Sequence, residues 1–409
     1  MRALLVAAVL CLSAPLAAHE LPNWRAVDAE TGQIRDVERL EALAADFPDS
    51  GSVRLRLLNA QLGEGDVEAV LASLAWLQER GYIFSEAAQA QIPELIGEEH
   101  AESARALLIR QPDVIEASEA IALVPAGAGL VETVLAYDEA LVVTSVTRNS
   151  LWVLAPSCDW LSVPIAGVSD LSGIVRVPGD SEGWAASSNL DGSDDAPGLF
   201  NGLLYLSDDL ENPARIPAPE GVALSDLSIA ADGTVYASDP LGGGIYRKPA
   251  GIDALESLVA PGTFRSPQGS AVSADGTRLY VSDYRYGLAM IDIEYGTVSR
   301  VASDVPVLLD GVDGLWRHGH ELIAIQNGTS PMRISAFTLS GDGTRIVAAR
   351  VLEQAHGEWT EPLGGSLSGE HLVYVGTGQW DRYDKGALKD GMQAIPTQIR
   401  RLPLGSGDN

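Results

Sequence analysis

The chain repeats one short pattern, first as Asp226-Leu-Ser-Ile-Ala-Ala-Asp-Gly-Thr-Val-Tyr-Ala-Ser-Asp239 and again as Gly269-Ser-Ala-Val-Ser-Ala-Asp-Gly-Thr-Arg-Leu-Tyr-Val-Ser-Asp283. In each copy a short apolar strand leads to an Asp-Gly pair, and a second apolar strand follows it. Asp-Gly favours a two-residue hairpin turn because both residues tolerate positive φ. The pattern therefore predicts a β-hairpin that ends in Ser-Asp and occurs at least twice.

The spacing of these hairpins shows how many there are. Asp239 and Asp283 stand 44 positions apart, and Asn327, another 44 positions on, follows the strand Glu321 to Ile325. Looser copies of the second strand occur at Ala140 to Ser145, Trp184 to Ser187 and Leu372 to Thr377. Six units with a period of roughly 40 to 50 residues are typical of propeller blades. We therefore expect a mainly β fold, a six-bladed β-propeller over 119–406 preceded by a small α-helical segment.

A strand at each end of this region is expected to close the ring. Ile121 to Pro125 comes before the first unit, and Ile399 to Leu404 comes after the last one. Pairing of these two segments would remove the exposed edges that an open sheet leaves.

The N-terminus has the features of a secretory signal peptide over 1–18, followed by a linker over 19–34. Arg2 supplies the positive charge, Ala3 to Leu12 the apolar run, and Leu16-Ala17-Ala18 the small-residue cleavage site. The apolar run is too short to span a bilayer, so we expect no membrane span. The predicted location is periplasmic or secreted.

Residues 35–118 have the periodicity of α-helices. Apolar side chains recur at helical spacing, as in Val67, Val70, Leu71 and Leu74. The stretch from Asn59 to Gly63 with Glu68-Ala69-Val70 resembles the helix-turn-helix of a tetratricopeptide repeat, over about one and a half repeats. Two readings stay open: a helical cap packed on the main domain, or a module that docks a protein partner.

Charge and cysteine content exclude several functions. The chain has 56 acidic residues against 27 Lys plus Arg, a net charge of −29. Such a surface repels phosphate backbones and anionic membranes, so nucleic acid is not an expected partner. After cleavage Cys158 is the only cysteine, which leaves no internal disulfide, and no family signature surrounds it. We interpret it as a structural thiol.

Blade geometry predicts where the polar residues gather. The first strand of a blade begins, and its hairpin partner ends, on the same face of the ring, so both sets of residues should meet at one mouth of the central channel. The residues entering the first strands are Glu132, Ser225, Asp226, Gln268 and Asp313. The residues leaving the second strands are Ser187, Asp239, Asp283, Asn327 and Thr377. His318 and His320 have the spacing of a metal pair, but we expect them in a solvent-exposed turn on the opposite face.

The repeat region resembles the regucalcin/gluconolactonase family of six-bladed propellers. Three motifs match at strand starts, namely Val131-Glu132-Thr133, Val312-Asp313-Gly314 and the glycine pair Gly364-Gly365. Asp310 competes with Asp313 for its place in the second motif. Paraoxonase and NHL-type propellers are more distant relatives.

Three positions depart from the family pattern. Gln268, in Pro267-Gln268-Gly269, stands where the family has Asn-Gly, and Ser225-Asp226 retains half of an Asn-Asp pair. Ala223 stands where the family has an arginine that contacts substrate. Because glutamine is longer than asparagine, it would displace a bound ion by about one methylene.

The resemblance implies a divalent cation, calcium in view of the family, bound at the channel mouth. Its ligands would be Glu132, Gln268, Asp313 and Asp226, since hard cations prefer carboxylate and amide oxygens. Asp313 would serve as a metal ligand or as the general base for water. The implied activity is hydrolysis of a lactone or similar ester of a small molecule.

Alternatives to this reading come from the residues themselves. Acidic and amide residues at strand ends also cap backbone N–H groups in propellers that bind nothing, so a non-catalytic scaffold of the cell envelope is the second hypothesis. His356 would be either a base at the mouth or, as we expect, a surface-loop residue. The run from Asn189 to Asp195 resembles a calcium loop but lacks the final bidentate glutamate, and we read it as a solvated acidic insertion.

Overall fold

The computed structural model describes residues 21–137, 140–156, 159–190, 192, 198–207, 210 and 212–405. The predicted signal peptide and Cys158 lie outside these residues. So does most of the acidic insertion, at 191 and 193–195.

Helices in the described residues are confined to the N-terminal part, as predicted, apart from single 3-10 turns at Ala126–Ala128 and Trp380–Arg382. A 3-10 turn at Thr31–Gln33 precedes α1 Val37–Asp46, α2 Gly51–Glu64, α3 Val67–Glu79, α4 Glu86–Leu95 and α5 Glu98–Leu108. The side chains of Asp36, Ser50, Asp66 and Ser85 cap the first four helices. None of the helices that the described residues form is long and apolar enough to cross a membrane.

The remaining described residues form a six-bladed β-propeller, which confirms the predicted fold class and blade count. Blade one is β2 Val131–Ala136, β3 Leu141–Ser145, β4 Ser150–Leu154 and β5 Leu161–Pro164; blade two is β6 Asp170–Arg176, β7 Gly183–Ser188, β8 Gly202–Leu206 and β9 Ala214–Pro217; blade three is β10 Leu227–Ile229, β11 Val235–Asp239, β12 Gly244–Lys248 and β13 Glu256–Val259.

The second half of the ring continues in the same order. Blade four is β14 Pro267–Val272, β15 Arg278–Asp283, β16 Gly287–Asp292 and β17 Val298–Arg300; blade five is β19 Gly314–His318, β20 Glu321–Gln326, β21 Arg333–Leu339 and β22 Arg345–Gln354, with the short β18 Ala302–Ser303 beside β22; blade six contains β23 Gly365–Ser368, β24 His371–Val375 and β27 Thr397–Pro403. A small hairpin, β25 Tyr383–Asp384 with β26 Ala387–Leu388, lies between β24 and β27.

The ring is closed by the strand that comes before it in sequence. β1 Glu119–Val124 pairs antiparallel with β27 and completes blade six as its outer strand. This confirms the pairing predicted for the two chain segments. The strands that neighbour one another around the centre are β2, β6, β10, β14, β19 and β23, the first strand of each blade.

The first of the two Asp-Gly turns, in blade three, differs from the prediction by one residue. In blade three the Ala230 amide donates to the Thr234 carbonyl and the Gly233 amide donates to the Ala230 carbonyl, so the loop has three residues. Only Gly233 has positive φ, at +88°, while the Asp232 side chain accepts a 2.9 Å hydrogen bond from the Thr234 amide. The two-residue turn is therefore wrong: a three-residue loop with glycine in the left-handed region forms instead.

The helical segment packs on the propeller as a cap. The Ser50 hydroxyl donates to the Arg285 carbonyl at 2.7 Å, in the loop after β15. The Ile83 amide donates to the Ser330 carbonyl and the Ser330 hydroxyl to the Ile83 carbonyl, both at 2.7 Å, in the loop after β20. Since second strands end on the face where first strands begin, the helices lie over blades four and five on that face.

Candidate active site in the propeller channel

The four side chains predicted as site residues come together in the channel. Glu132, Asp226, Gln268 and Asp313 all line one cavity of about 10 Å³. That volume is about what one water molecule or one monatomic ion needs. Each of these residues stands at the start of a different first strand, in blades one, three, four and five. Thr133, Gly173, Ser225, Gly314 and Gly364 complete the wall.

Glycines make the channel narrow at this point. The Gly173 amide donates to the Ser225 carbonyl at 2.9 Å, and the Gly269 amide donates to the Asp313 carbonyl at 2.8 Å. These hydrogen bonds join first strands of neighbouring blades directly. A Cβ atom at Gly173 would overlap the Ser225 carbonyl oxygen, and one at Gly364 would overlap the Thr133 hydroxyl. The absence of side chains thus lets the strands approach until only the small acidic cavity remains between them.

Burial raises the pKa values of all three carboxyl groups, and the charges of neighbouring carboxylates raise those of Glu132 and Asp313 further. Burial raises the pKa of Asp226 to about 7. Burial, with the charges of Glu361 and Asp226, raises the pKa of Asp313 to about 8, against a hydrogen bond from Asn327 that lowers it. The pKa of Glu132 is raised well above its usual value by burial and then by the charge of Asp313. Carboxyl groups placed in this way have a high affinity for protons or for a cation.

Loops on the same face bring two further side chains that the sequence analysis did not identify. Trp380 donates its indole N–H to Oε2 of Glu132 at 2.7 Å. The Tyr284 hydroxyl donates to Oδ1 of Asn327 at 2.8 Å, and burial with the charges of Asp313 and Glu361 raises its pKa. Tyr284 directly follows a predicted strand end at Asp283, and that position was the signal available in the sequence.

Other predicted mouth residues hold backbone instead of lining the cavity. Asp239 accepts from the Gly242 amide at 2.8 Å, and Asp283 accepts from the Arg265 amide at 2.6 Å and the Arg285 amide at 3.0 Å. Both carboxylates are almost fully buried. For these residues the backbone-capping reading describes what the structure shows.

Asp310 is separated from the site by its own role. Its carboxylate accepts from the Gly51 amide at 2.8 Å and from the Ser52 amide at 2.7 Å, the first residues of α2. The competition between Asp310 and Asp313 is thus decided by position, because only Asp313 lines the cavity.

The histidines lie outside the channel cavity. His320 is exposed in the turn after β19, as predicted. The same prediction is wrong for His318, which is the last residue of β19 and is half-buried, with its Nε2 3.3 Å from Oε2 of Glu370. The surface position expected for His356 is wrong: its side chain is buried, stacks on Trp359, and has Nε2 2.7 Å from a terminal nitrogen of Arg400. The base role at the mouth is also wrong, since His356 packs between the last two blades.

The donor chemistry of the cavity fits a hard cation. Three carboxyl groups and one amide oxygen come from four strands, and the space matches one ion. Among the described residues no three His, Cys, Asp or Glu side chains are already grouped as ligands of one ion. Glu132 is engaged with Trp380 and Asp313 with Asn327, so these side chains would turn toward an ion from hydrogen-bonded positions.

The fold and the cavity define a six-bladed propeller with a buried acidic site at the narrowest point of its channel. No family model and no curated protein matches the chain. Solved structures that resemble it include the calcium-binding protein regucalcin from Agrobacterium tumefaciens, at 14% identity over 69% of this chain and 93% of that chain, with a TM-score of 0.45.

Two further solved structures show the range of propellers that the chain resembles. A gluconolactonase from Xanthomonas campestris has 13% identity over 70% of this chain and 99% of that one, with a TM-score of 0.42. The PQQ-bound aldose sugar dehydrogenase from Streptomyces coelicolor has 16% identity over 72% and 99%, with a TM-score of 0.46. The resemblance stated from the sequence is confirmed to this extent: a regucalcin and a gluconolactonase are among the similar structures.

Proposed function

We propose that the protein is an exported hydrolase that uses a divalent cation to open a lactone or a similar ester of a small molecule. The observation that carries the proposal is the convergence of Glu132, Asp226, Gln268 and Asp313 on one ion-sized cavity. Three carboxyl groups that repel one another are costly to keep together unless protons or a cation compensate their charge. A site of this composition suits calcium, which takes carboxylate and amide oxygens.

Each residue has a separate task in the proposed reaction. Glu132, Asp226 and Gln268 would hold the cation together with Asp313. When bound, the cation would polarise the ester carbonyl and stabilise negative charge on its oxygen. Trp380 keeps the Glu132 carboxylate in place through its indole hydrogen bond. Tyr284 and Asn327 hold the side of the site around Asp313.

Asp313 is the proposed general base. In its ionised form it takes a proton from a water molecule while the water oxygen bonds to the carbonyl carbon. The bond from that carbon to the ring oxygen then breaks, and Asp313 returns the proton to the ring oxygen, leaving a hydroxy acid. In the cation-free protein the pKa of Asp313 is raised to about 8, and a bound cation would lower it, so that Asp313 would be ionised as a general base must be.

The location and cofactor belong to this proposal. Periplasmic or secreted proteins meet calcium at far higher concentration than cytosolic ones, which suits a site of moderate affinity. The signal peptide proposed over 1–18 would take the chain there. N-terminal sequencing of the mature protein, with cleavage expected after Ala18, tests this part by itself.

Calorimetric titration with calcium tests the site. Wild type should bind one equivalent, and Asp313→Asn should abolish binding and lower the rate of lactone hydrolysis by about 10²- to 10⁴-fold from loss of the base. Asp275→Asn is the matched control, because Asp275 lies in an exposed turn where its side chain accepts from Ser273 and Thr277. Failure of wild type to bind any divalent ion at millimolar concentration would favour the non-catalytic scaffold instead.

A further inference from the structure

The far end of the channel, opposite the face that carries the helical cap, opens as a second and larger cavity. Its volume is about 300 Å³, and all six first strands contribute to its wall. The small acidic cavity is lined by the starts of these strands, whereas the larger one is lined by their later residues, such as Leu135, Val272 and Leu367. Asp226 lines both cavities and is the link between them.

Two arginines give this cavity a charge opposite to that of the acidic site. Arg176 lies on the first strand of blade two and Arg317 on the first strand of blade five. Nε of Arg176 donates to the Asp180 carbonyl, and its guanidinium lies over the Tyr137 ring, 5.0 Å from the ring centre. Arg317 donates to the Val272 carbonyl at 3.0 Å and to the Gly319 carbonyl at 2.8 Å. Among the described residues no ion pair within 4.0 Å involves either guanidinium.

The two guanidiniums therefore keep donors for a ligand. Nε of both arginines and one terminal nitrogen of Arg317 donate hydrogen bonds to backbone carbonyls. The remaining terminal N–H groups have no hydrogen-bond partner among the described residues. A planar guanidinium fork matches the geometry of a carboxylate. In a chain of net charge −29, these two arginines place two positive charges at one end of the channel.

The rest of the wall suits a hydroxylated molecule. Trp316 lines the cavity, with its ring packed closely over Gly314, where any side chain would overlap it. The hydroxyls of Ser228 and Ser270 are hydrogen-bonded to each other at 2.7 Å, and the Ser366 hydroxyl accepts from the Ala136 amide at 2.9 Å. An aromatic ring beside hydroxyl groups offers one apolar surface and several polar contacts, as small-molecule sites of this size do.

We infer that this cavity binds a small hydroxylated carboxylate, with the carboxylate on Arg176 and Arg317 and the body of the molecule against Trp316. The inference deepens the proposed function and rests on it for the reaction, because it names the substrate class as a lactone or ester that also has a free carboxylate. The opposite charges of the two channel ends would orient such a molecule with its carboxylate away from Asp226. Binding itself needs no catalysis and is tested without it.

Glucuronate and glucose are suitable probes, because they share a six-membered ring and differ by the carboxylate. Calorimetry on the full mature protein, without added divalent cation, should show binding of glucuronate and much weaker binding of glucose. Arg317→Gln and Arg176→Gln should each weaken glucuronate binding by about tenfold or more, as expected for a lost hydrogen bond to a charged group. Arg345→Gln is the matched control, since Arg345 pairs with Asp304 on the outer strand of blade five.

The outcomes separate this inference from the proposed function. Three results would overturn the inference. They are equal binding of glucose and glucuronate, an equal loss of glucuronate affinity in Arg345→Gln, and no binding of glucuronate at about 10 mM, which is weaker than most functional small-molecule sites. Quenching of tryptophan fluorescence by glucuronate that disappears in Trp316→Phe, in a variant whose circular dichroism matches wild type, would support it. If the protein binds glucuronate but no calcium, the proposed hydrolase function is wrong and the inferred binding site is supported. If it binds calcium and hydrolyses lactones but does not bind glucuronate, the function is supported and the inferred binding site is wrong.

Discussion

Trp380 and Glu132 connect the last blade to the first at the acidic cavity, through a 2.7 Å hydrogen bond from the indole N–H to the carboxylate. Trp380 lies in the segment between β24 and β27, and Glu132 is the second residue of β2. The pairing of β1 with β27 closes the ring at its rim. The Trp380–Glu132 bond closes it again at its centre, where the proposed ligands meet.

Trp380→Phe tests this second closure. The variant keeps an aromatic side chain at position 380, but Glu132 loses the hydrogen bond from the indole N–H. The pKa of Glu132 should therefore rise further, and protons should compete better with a cation. We expect calcium affinity to fall by about tenfold, the value for a lost hydrogen bond to a charged group. Calorimetric titration at pH 7.5 measures it. Trp24→Phe, which loses an indole bond to the Thr263 carbonyl away from the channel, should keep wild-type affinity.

Stability of the cation-free protein should fall as pH rises from about 4 to about 8. Asp226 and Asp313 have pKa values of about 7 and about 8 when folded, against about 3.9 in an unfolded chain. Between these values the folded state binds more protons than the unfolded state, so the free energy of unfolding decreases with pH. Asp313→Asn should flatten this slope and melt a few degrees above wild type at pH 8, in the presence of a chelator.

A carboxylate with the opposite shift serves as the control for that experiment. Hydrogen bonds from the Ser340 and Thr344 side chains lower the pKa of Asp342 to about 2. Its contribution is complete above about pH 4 and is lost only as pH falls toward 2. Asp342→Asn should therefore leave the slope between pH 5 and pH 8 unchanged. A slope as steep in Asp313→Asn as in wild type would contradict the assignment.

The sequence predicted the fold better than it predicted the roles of single polar residues. Blade count follows from a repeat of strand pairs, which is a local signal, and the strand starts that hold Glu132, Gln268 and Asp313 follow from it. Tyr284 and Trp380 approach the site from loops whose course depends on packing; Tyr284 has a signal only in its position after the strand end at Asp283, and Trp380 has none. Asp283 and Asp239 look like ligands in the repeat, yet a carboxylate at a strand end can bind backbone amides equally well.

His356 shows that the burial of a side chain is also hard to predict from the local sequence. It stands in a loop between blades, where exposure is the usual outcome, but Trp359 stacks on it and Arg400 contacts it. Trp359 lies in the same loop as His356, but Arg400 is brought there by ring closure, because it lies on β27, the strand that pairs with β1. A contact made by long-range closure cannot be read from the local pattern around His356.

Asp310→Ala tests how firmly the helical cap is held. Its two carboxylate oxygens accept from the first two amides of α2, so the propeller itself caps this helix. Removing them should cost about 1–3 kcal/mol, because two buried amides lose a charged acceptor. Urea denaturation measures the loss, and limited proteolysis should cut within 35–118 sooner than in wild type. Asp66→Ala is the control: it removes the N-cap side chain of α3, which makes no contact with the propeller in this role, and should leave the helical segment docked.

Gly173→Ala tests whether the narrow point of the channel depends on glycine. A Cβ atom there would overlap the Ser225 carbonyl oxygen, which accepts the Gly173 amide at 2.9 Å. The strands of blades two and three must then separate, with an overpacking cost of about 1–3 kcal/mol. Separation would also move Asp226, so calcium affinity should fall together with stability. Gly341→Ala, where a Cβ atom meets nothing within 4 Å, should change neither. Unfolding in urea and calcium titration of both variants measure the two effects. If Gly173→Ala has the stability and calcium affinity of wild type, the blades have space for a side chain at this position.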